Sequence, residues 1–167
     1  MSKPLAPAVS ALPDQRTAAA ISPALQTVYD RLSSQMYSNS TLVIKAGGGV
    51  LAKTGGAISY GVANGVPIAI AASTDMPSLV GLNITAAKFN VICFFVDQSG
   101  TLSVLMGTEG AAIGNVKFPE FPKGKALVGF LSVTHSSTFT GGTTALDTAT
   151  TLYFSPVGAF DPTATLS

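Results

Sequence analysis

The period of the apolar positions changes once along the chain, near residue 40. In SPALQTVYDRLSSQMYSNS, residues 22–40, Leu25, Val28, Tyr29, Leu32 and Met36 recur at helical spacing. Ser22 can cap this stretch, and Pro23 suits a first helical position, where an N–H has no partner anyway. The spacing predicts one short amphipathic helix over 23–36. Its apolar stripe belongs either on the sheet of its own domain or on a neighbouring subunit. Upstream, Pro4, Pro7 and Pro13 stand among Ala, Ser and Thr, so residues 1–21 are expected to form an extended arm. Arm and helix together make region 1–40, and a β domain with a short tail fills 41–167.

Beyond Ser40 the period becomes two, and the segments turn short, β-branched and glycine-punctuated. TLVIKA (41–46), LVGLNITAA (79–87), KALVGFLSVT (125–134) and TTLYFSPVG (150–158) read as strands. AISYGVANGVPIAIA holds Asn64-Gly65, a strong hairpin signal. A two-residue turn there sets Ile58, Tyr60 and Val62 opposite Ala71, Ala69 and Pro67. A three-residue loop sets them opposite Ile70, Ile68 and Val66, and is preferred because it gathers six large apolar groups on one face. In FNVICFFVDQSGTLSVLMG (89–107), a turn over Asp97–Gly100 places Val91, Cys93 and Phe95 with Leu102, Val104 and Met106 on a core face. Ile92, Phe94 and Val96 then share the other face with Thr101 and Ser103. That half-apolar face needs a cover: a second sheet, the helix, or a symmetry mate. About eight short strands with no interleaved helix predict a mainly β fold, an antiparallel sandwich or jelly roll with an N-terminal arm and one short helix.

Composition sharpens the question of the cover. Apolar residues make up 47% of the 167 and charged residues 10%, against about 25% charged in average soluble domains. Such a surface suits a subunit packed in an assembly, although a neutral Thr, Ser, Gly and Ala surface also answers to it. Net charge is +1 with scattered Lys and Arg, so nothing tracks a phosphate backbone and nucleic acid is not an expected partner. The amino terminus lacks the continuous apolar core of a secretory signal and no stretch is long enough to span a bilayer, so folding in the cytoplasm and no membrane partner are expected. Cys93, mid-strand among Ile92, Phe94 and Phe95, reads as a small core hydrophobe.

Candidate chemistry is sparse. GGGVLAKT (47–54) after a strand mimics a phosphate-binding loop, but Ala52 stands where the last glycine belongs, and the chain runs on into a strand instead of a helix. His135 is the only histidine, no G-x-S-x-G surrounds a serine, and the eight carboxylates are spread singly. An enzymatic reading needs a buried pocket gathering Asp97, His135 or Asp147. Asn39-Ser40-Thr41 and Asn83-Ile84-Thr85 match the glycan acceptor pattern without a secretion signal to go with it. No cofactor, metal or catalytic residue is expected.

The string FFVDQSGTLSVLMGTEGAAIGNVKFPEFPKGKALVGFLSV runs strand, Asp-x-Ser-Gly turn, strand, glycine-rich spacer, Pro-x-x-Pro, Lys-Gly and apolar strand. This layout resembles β-sandwich domains of tailed-bacteriophage virion proteins, and FTGGTTALDTATT is similar to segments of head-decoration or head-fibre proteins. The resemblance covers roughly residues 41–161. It implies a structural protein made in the host cytoplasm and added to the outer surface of the phage head, usually as a trimer. The expected role is a cement protein bridging major capsid subunits, with Ile92, Phe94 and Val96 at the contact between copies and Pro4, Pro7, Pro13, Leu25 and Tyr29 at the capsid. The alternative is a fibre or spike module whose loop 136–149 touches a host surface glycan.

Overall fold

The computed structural model describes residues 23, 25–26, 28–163 and 166. The arm with Pro4, Pro7 and Pro13 lies outside them. The described positions between 23 and 32 are helical (α1). Eleven strands follow: β1 Gln35–Met36, β2 Val43–Ile44, β3 Ala52–Lys53, β4 Ser59–Ala63, β5 Val66–Ile70, β6 Asn83–Ile84, β7 Phe89–Val96, β8 Leu102–Met106, β9 Ala126–Thr134, β10 Phe139–Thr140 and β11 Thr150–Phe154. The chain is mainly β and sandwich-like, with every strand pair antiparallel. The central sheet has the order β11-β9-β7-β8. A three-stranded sheet, β1-β4-β5, and two short pairs, β6 with β10 and β2 with β3, complete the set.

The helix ends before the predicted boundary, and Met36 belongs to β1. Ser33 accepts the N–H of Gly65 at 2.8 Å and the Ser34 hydroxyl accepts the N–H of Asn64 at 2.9 Å, which ties the chain to the β4–β5 turn. Met36 then crosses Gly61, where a Cβ would stand 2.7 Å from the Met36 sulfur. A strand thus stands upstream of residue 41, where the β segments were expected to start.

Both hairpins adopt the register opposite to the expected one, for one reason. At the first, Asn64 and Gly65 both take left-handed backbone, φ +51° and +75°, which defines a two-residue turn of the primed type. Ala63 pairs with Val66, and Tyr60 with Ala69. At the second, only Gly100 is left-handed, at φ +82°. Asp97 and Thr101 close a three-residue loop, with the Asp97 N–H on the Thr101 carbonyl at 3.1 Å. The Asp97 carboxylate accepts the N–H groups of Ser99 and Thr101 and the Ser99 hydroxyl, at 2.9, 3.0 and 2.6 Å. Val96 therefore pairs with Leu102, and Phe94 with Val104. The all-apolar face is Ile92, Phe94 and Val96 with Leu102, Val104 and Met106. Val91, Cys93 and Phe95 share the mixed face with Ser103 and Leu105.

Both faces are covered by the chain itself. Ile92, Phe94 and Val96 pack with Val128, Leu131, Met36, Ile70, Phe139 and Leu146 in the first core. Val91, Cys93 and Phe95 lie in a second core with Val116, Leu127 and Phe130, closed by Phe118, Phe121, Phe154 and Phe160. Seven of the nine phenylalanines sit in this second cluster. Phe118 meets Phe130 edge-on at 5.0 Å and Phe121 meets Phe95 edge-on at 5.0 Å, arrangements favoured by the ring quadrupole. The FPEFPKG segment is thus the roof of a core. Burial in this layer pushes the Cys93 thiol pKa far up.

The register shifts where Phe94 pairs with Gly129 and Phe95 with Leu127, leaving Val128 as the extra residue of a bulge on β9. Its carbonyl accepts the buried Ser40 hydroxyl at 2.8 Å, and Ser40 also contacts the Ser155 hydroxyl at 3.0 Å. Ser40→Ala would strand that buried carbonyl, so urea unfolding is expected to show a loss of roughly 1–3 kcal/mol; an unchanged midpoint would remove Ser40 from the account of the bulge.

Candidate interaction surface

An amphipathic helix beside a protein core ordinarily turns its apolar stripe inward. Here α1 is inside out. Leu25, Val28, Tyr29 and Leu32 are each between 53% and 64% exposed, whereas Asp30 and Arg31 are half-buried. At about 100° per residue these two sets fall on opposite sides of the helix. The polar side faces the body across a cavity of about 220 Å³ floored by Phe121, Leu127 and Phe160. The C-terminal end of the helix is held by the two bonds from the Asn64-Gly65 turn and by an Arg31–Asp161 ion pair at 3.7 Å.

A second apolar area lies on the outer face of the β1-β4-β5 sheet. The Tyr37 N–H donates to the Tyr60 carbonyl at 2.8 Å, continuing the β1–β4 register, and both tyrosines are exposed together with Ile58. Tyr37 was not singled out from the sequence, and Ile58 and Tyr60 were expected on one apolar face with Ile68 and Ile70. The two-residue register at Asn64-Gly65 is the signal that finds Ile58 and Tyr60, because it turns them away from Ile68 and Ile70.

The residues expected at the contact between copies are elsewhere. Ile92, Phe94 and Val96 are 0% exposed in the single chain, enclosed by its own layers, and cannot form a surface. Leu25 and Tyr29 lie on the outward stripe. Pro4, Pro7 and Pro13 fall outside the described residues.

The three candidate catalytic groups are not brought together. Asp97 serves its own turn, and its carboxyl is held below the usual carboxylate range by the Ser99 hydroxyl and then by the Thr101 N–H. Asp147 accepts the Gly48 N–H at 2.6 Å. The His135 Nδ1 lies 2.9 Å from the Ser137 hydroxyl. The GGG segment closes the antiparallel hairpin of β2 and β3 and leads into no helix. Among the described residues no cluster of three or more His, Cys, Asp or Glu could hold a metal, and no helix is long and apolar enough to cross a membrane. No family model, curated protein or solved structure matches the chain.

Asp161, which anchors Arg31, also has a depressed pKa, caused first by the Thr163 N–H, then by the Thr163 hydroxyl, and then by Arg31. A depressed carboxylate stabilises the fold above its unfolded pKa, and that contribution is lost as pH falls through the folded value. NMR titration is expected to place the Asp161 midpoint below the ordinary 3.8, with Thr163→Ala raising it more than Arg31→Ala. A wild-type midpoint at or above the ordinary value would contradict this anchor.

Proposed function

We propose that the chain is a non-enzymatic decoration protein of a bacteriophage head, acting as a homotrimer on the outer surface and cementing neighbouring major capsid subunits. The observation that carries the reading is the inverted helix: an ordered apolar stripe turned to solvent, directly downstream of the proline-bearing stretch. Water penalises such a stripe by roughly 25 cal/mol per Å² of apolar surface, and a complementary strip on an assembled shell removes that penalty. A protein that binds the assembled shell and not its dissociated subunits stabilises the shell by mass action. No covalent chemistry is needed, in keeping with the scattered titratable groups. The sparse charge of the chain further favours a life packed against neighbours.

The glycan-binding alternative draws on loop 136–149. Phe139, Leu146 and Ala149 of that loop are buried in the first core, so much of it serves packing, and no observation lifts this reading above the first.

The test is addition of purified protein to phage shells that lack it. Wild-type protein is expected to bind and to raise the temperature of shell disruption. The double variant Leu25→Asp, Tyr29→Asp is expected to keep the free protein's unfolding midpoint, within about 0.5 kcal/mol for exposed positions, and to lose shell binding. Binding by the double variant equal to wild type would overturn the assignment of the stripe.

A further inference from the structure

Resting on the multimer reading above, we propose that copies of this chain join edge to edge, β8 of one copy against β11 of the next. The central sheet then extends head to tail around a closed ring.

Over their own spans, both are edge strands among the described residues. Among the described residues β8 has β7 as its only neighbour and β11 has only β9. The orientation of the unpaired groups on β8 follows from two bonds that flank it. The Gly107 N–H donates to the Val91 carbonyl, and the Asp97 N–H donates to the Thr101 carbonyl. Odd-numbered residues of β8 therefore aim their backbone groups at β7, and Leu102, Val104 and Met106 aim theirs outward. A row of unpaired N–H and C=O groups is a template for another strand.

Native sheets usually guard such edges with charge or proline. The outer edge of β5 is guarded: Ala63 and Val66 close the two-residue turn as a hydrogen-bonded pair, so the next position turns outward, and it is Pro67, which has no N–H. The segments LSVLM of β8 and TTLYF of β11 contain neither a charge nor a proline. The β5 edge is interrupted by a proline, whereas among the described residues the outward groups of Leu102, Val104 and Met106 have no strand beside them; the next outward position, Thr108, is already paired with Lys117.

Strand polarity selects the occupant. The four central strands alternate in direction, so β8 and β11 run oppositely. A head-to-tail repeat of the same chain therefore brings β11 of the next copy antiparallel to β8, continuing the alternation. A two-fold pairing of β8 with β8 would also be antiparallel, but it leaves β11 open in both copies. The head-to-tail contact uses both edges of every copy and closes into a ring when its rotation does. Side chains agree: Leu105 pairs with Cys93 and Leu152 with Ser132, which sets both leucines on the second-core face of the sheet. They are 37% and 50% exposed, one at each edge, and the joint would bring them together out of water.

Cysteine cross-linking tests the joint, since the native Cys93 is buried. Within one chain positions 105 and 152 are three strand spacings apart, roughly 14 Å, beyond the reach of about 7 Å between Cα atoms for a disulfide. Any bond between them is then between copies. Mixed Leu105→Cys and Leu152→Cys proteins, treated with oxidant, are expected to give a covalent dimer that neither gives alone. The double variant is expected to give a covalent trimer. Cross-linking of Leu105→Cys with itself would overturn the joint in favour of a two-fold pairing, and multimers without any 105–152 bond would overturn it outright. Hydrogen exchange gives a second readout: the amides of Leu102, Val104 and Met106 should slow as the protein associates, and unchanged exchange contradicts the joint. Shell binding by a protein that shows neither signal leaves the decoration reading standing and removes this one; a cross-linked ring that ignores shells does the reverse.

Discussion

Strands β7 and β9 carry apolar side chains on both faces, and water tolerates such strands only when both faces of their sheet are covered. This requirement organises the molecule. One face is met by the β1-β4-β5 sheet with β6, β10 and the segment around Leu146. The other is met without a second sheet, by the connection between β8 and β9 and the residues after β11, which contribute Phe118, Phe121 and Phe160. Aromatic rings suit that task because a few of them cover much area and lock one another edge to face. The bulge on β9 belongs to the same solution: both Val128 and Leu131 reach the first core although they lie an odd number of residues apart, and Ser40 satisfies the carbonyl that the shift frees.

With both faces closed, the helix stripe and the sheet edges are two surfaces left to solvent beside the Tyr37, Ile58 and Tyr60 area, and they differ in chemistry. The helix stripe is apolar and offers contact area without backbone hydrogen bonds, because a helix satisfies its own. The edges of β8 and β11 offer backbone donors and acceptors in a fixed register. Contact area suits adhesion to a broad shell, whereas a hydrogen-bonded edge suits an exact copy of a known partner. The proposed division, stripe to a shell and edges to sister copies, rests on that difference.

Much of the architecture was legible in the sequence. The change of period near Ser40 and the glycine punctuation indicated an antiparallel β fold with one short helix. The apolar character of 91–96 on both sides indicated a buried strand. The cover was misassigned because hairpin register depends on how many turn residues take positive φ, which Asn-Gly and Asp-Gln-Ser-Gly leave ambiguous. A slip of one residue moved Ile92, Phe94 and Val96 to the wrong face and made a core look like a contact. The role of FPEFPKG was not legible: its prolines exclude it from a sheet, while its phenylalanines act at long range on Phe95 and Phe130. The helix stripe was visible at Leu25 and Tyr29; its outward direction was not, since spacing reports that a stripe exists and not which side a neighbour lies on.

The account turns on Ile92, Phe94 and Val96 being enclosed by the chain's own layers. Circular dichroism and urea unfolding of Phe94→Asp, at dilutions where the protein is a single copy, test this directly. A carboxylate in the middle of the first core has no partner there, and the cost of an unpaired buried charge reaches several kcal/mol, so cooperative folding is expected to be lost. A variant that stays folded with the wild-type midpoint would place Phe94 on a surface and contradict the two-sided core.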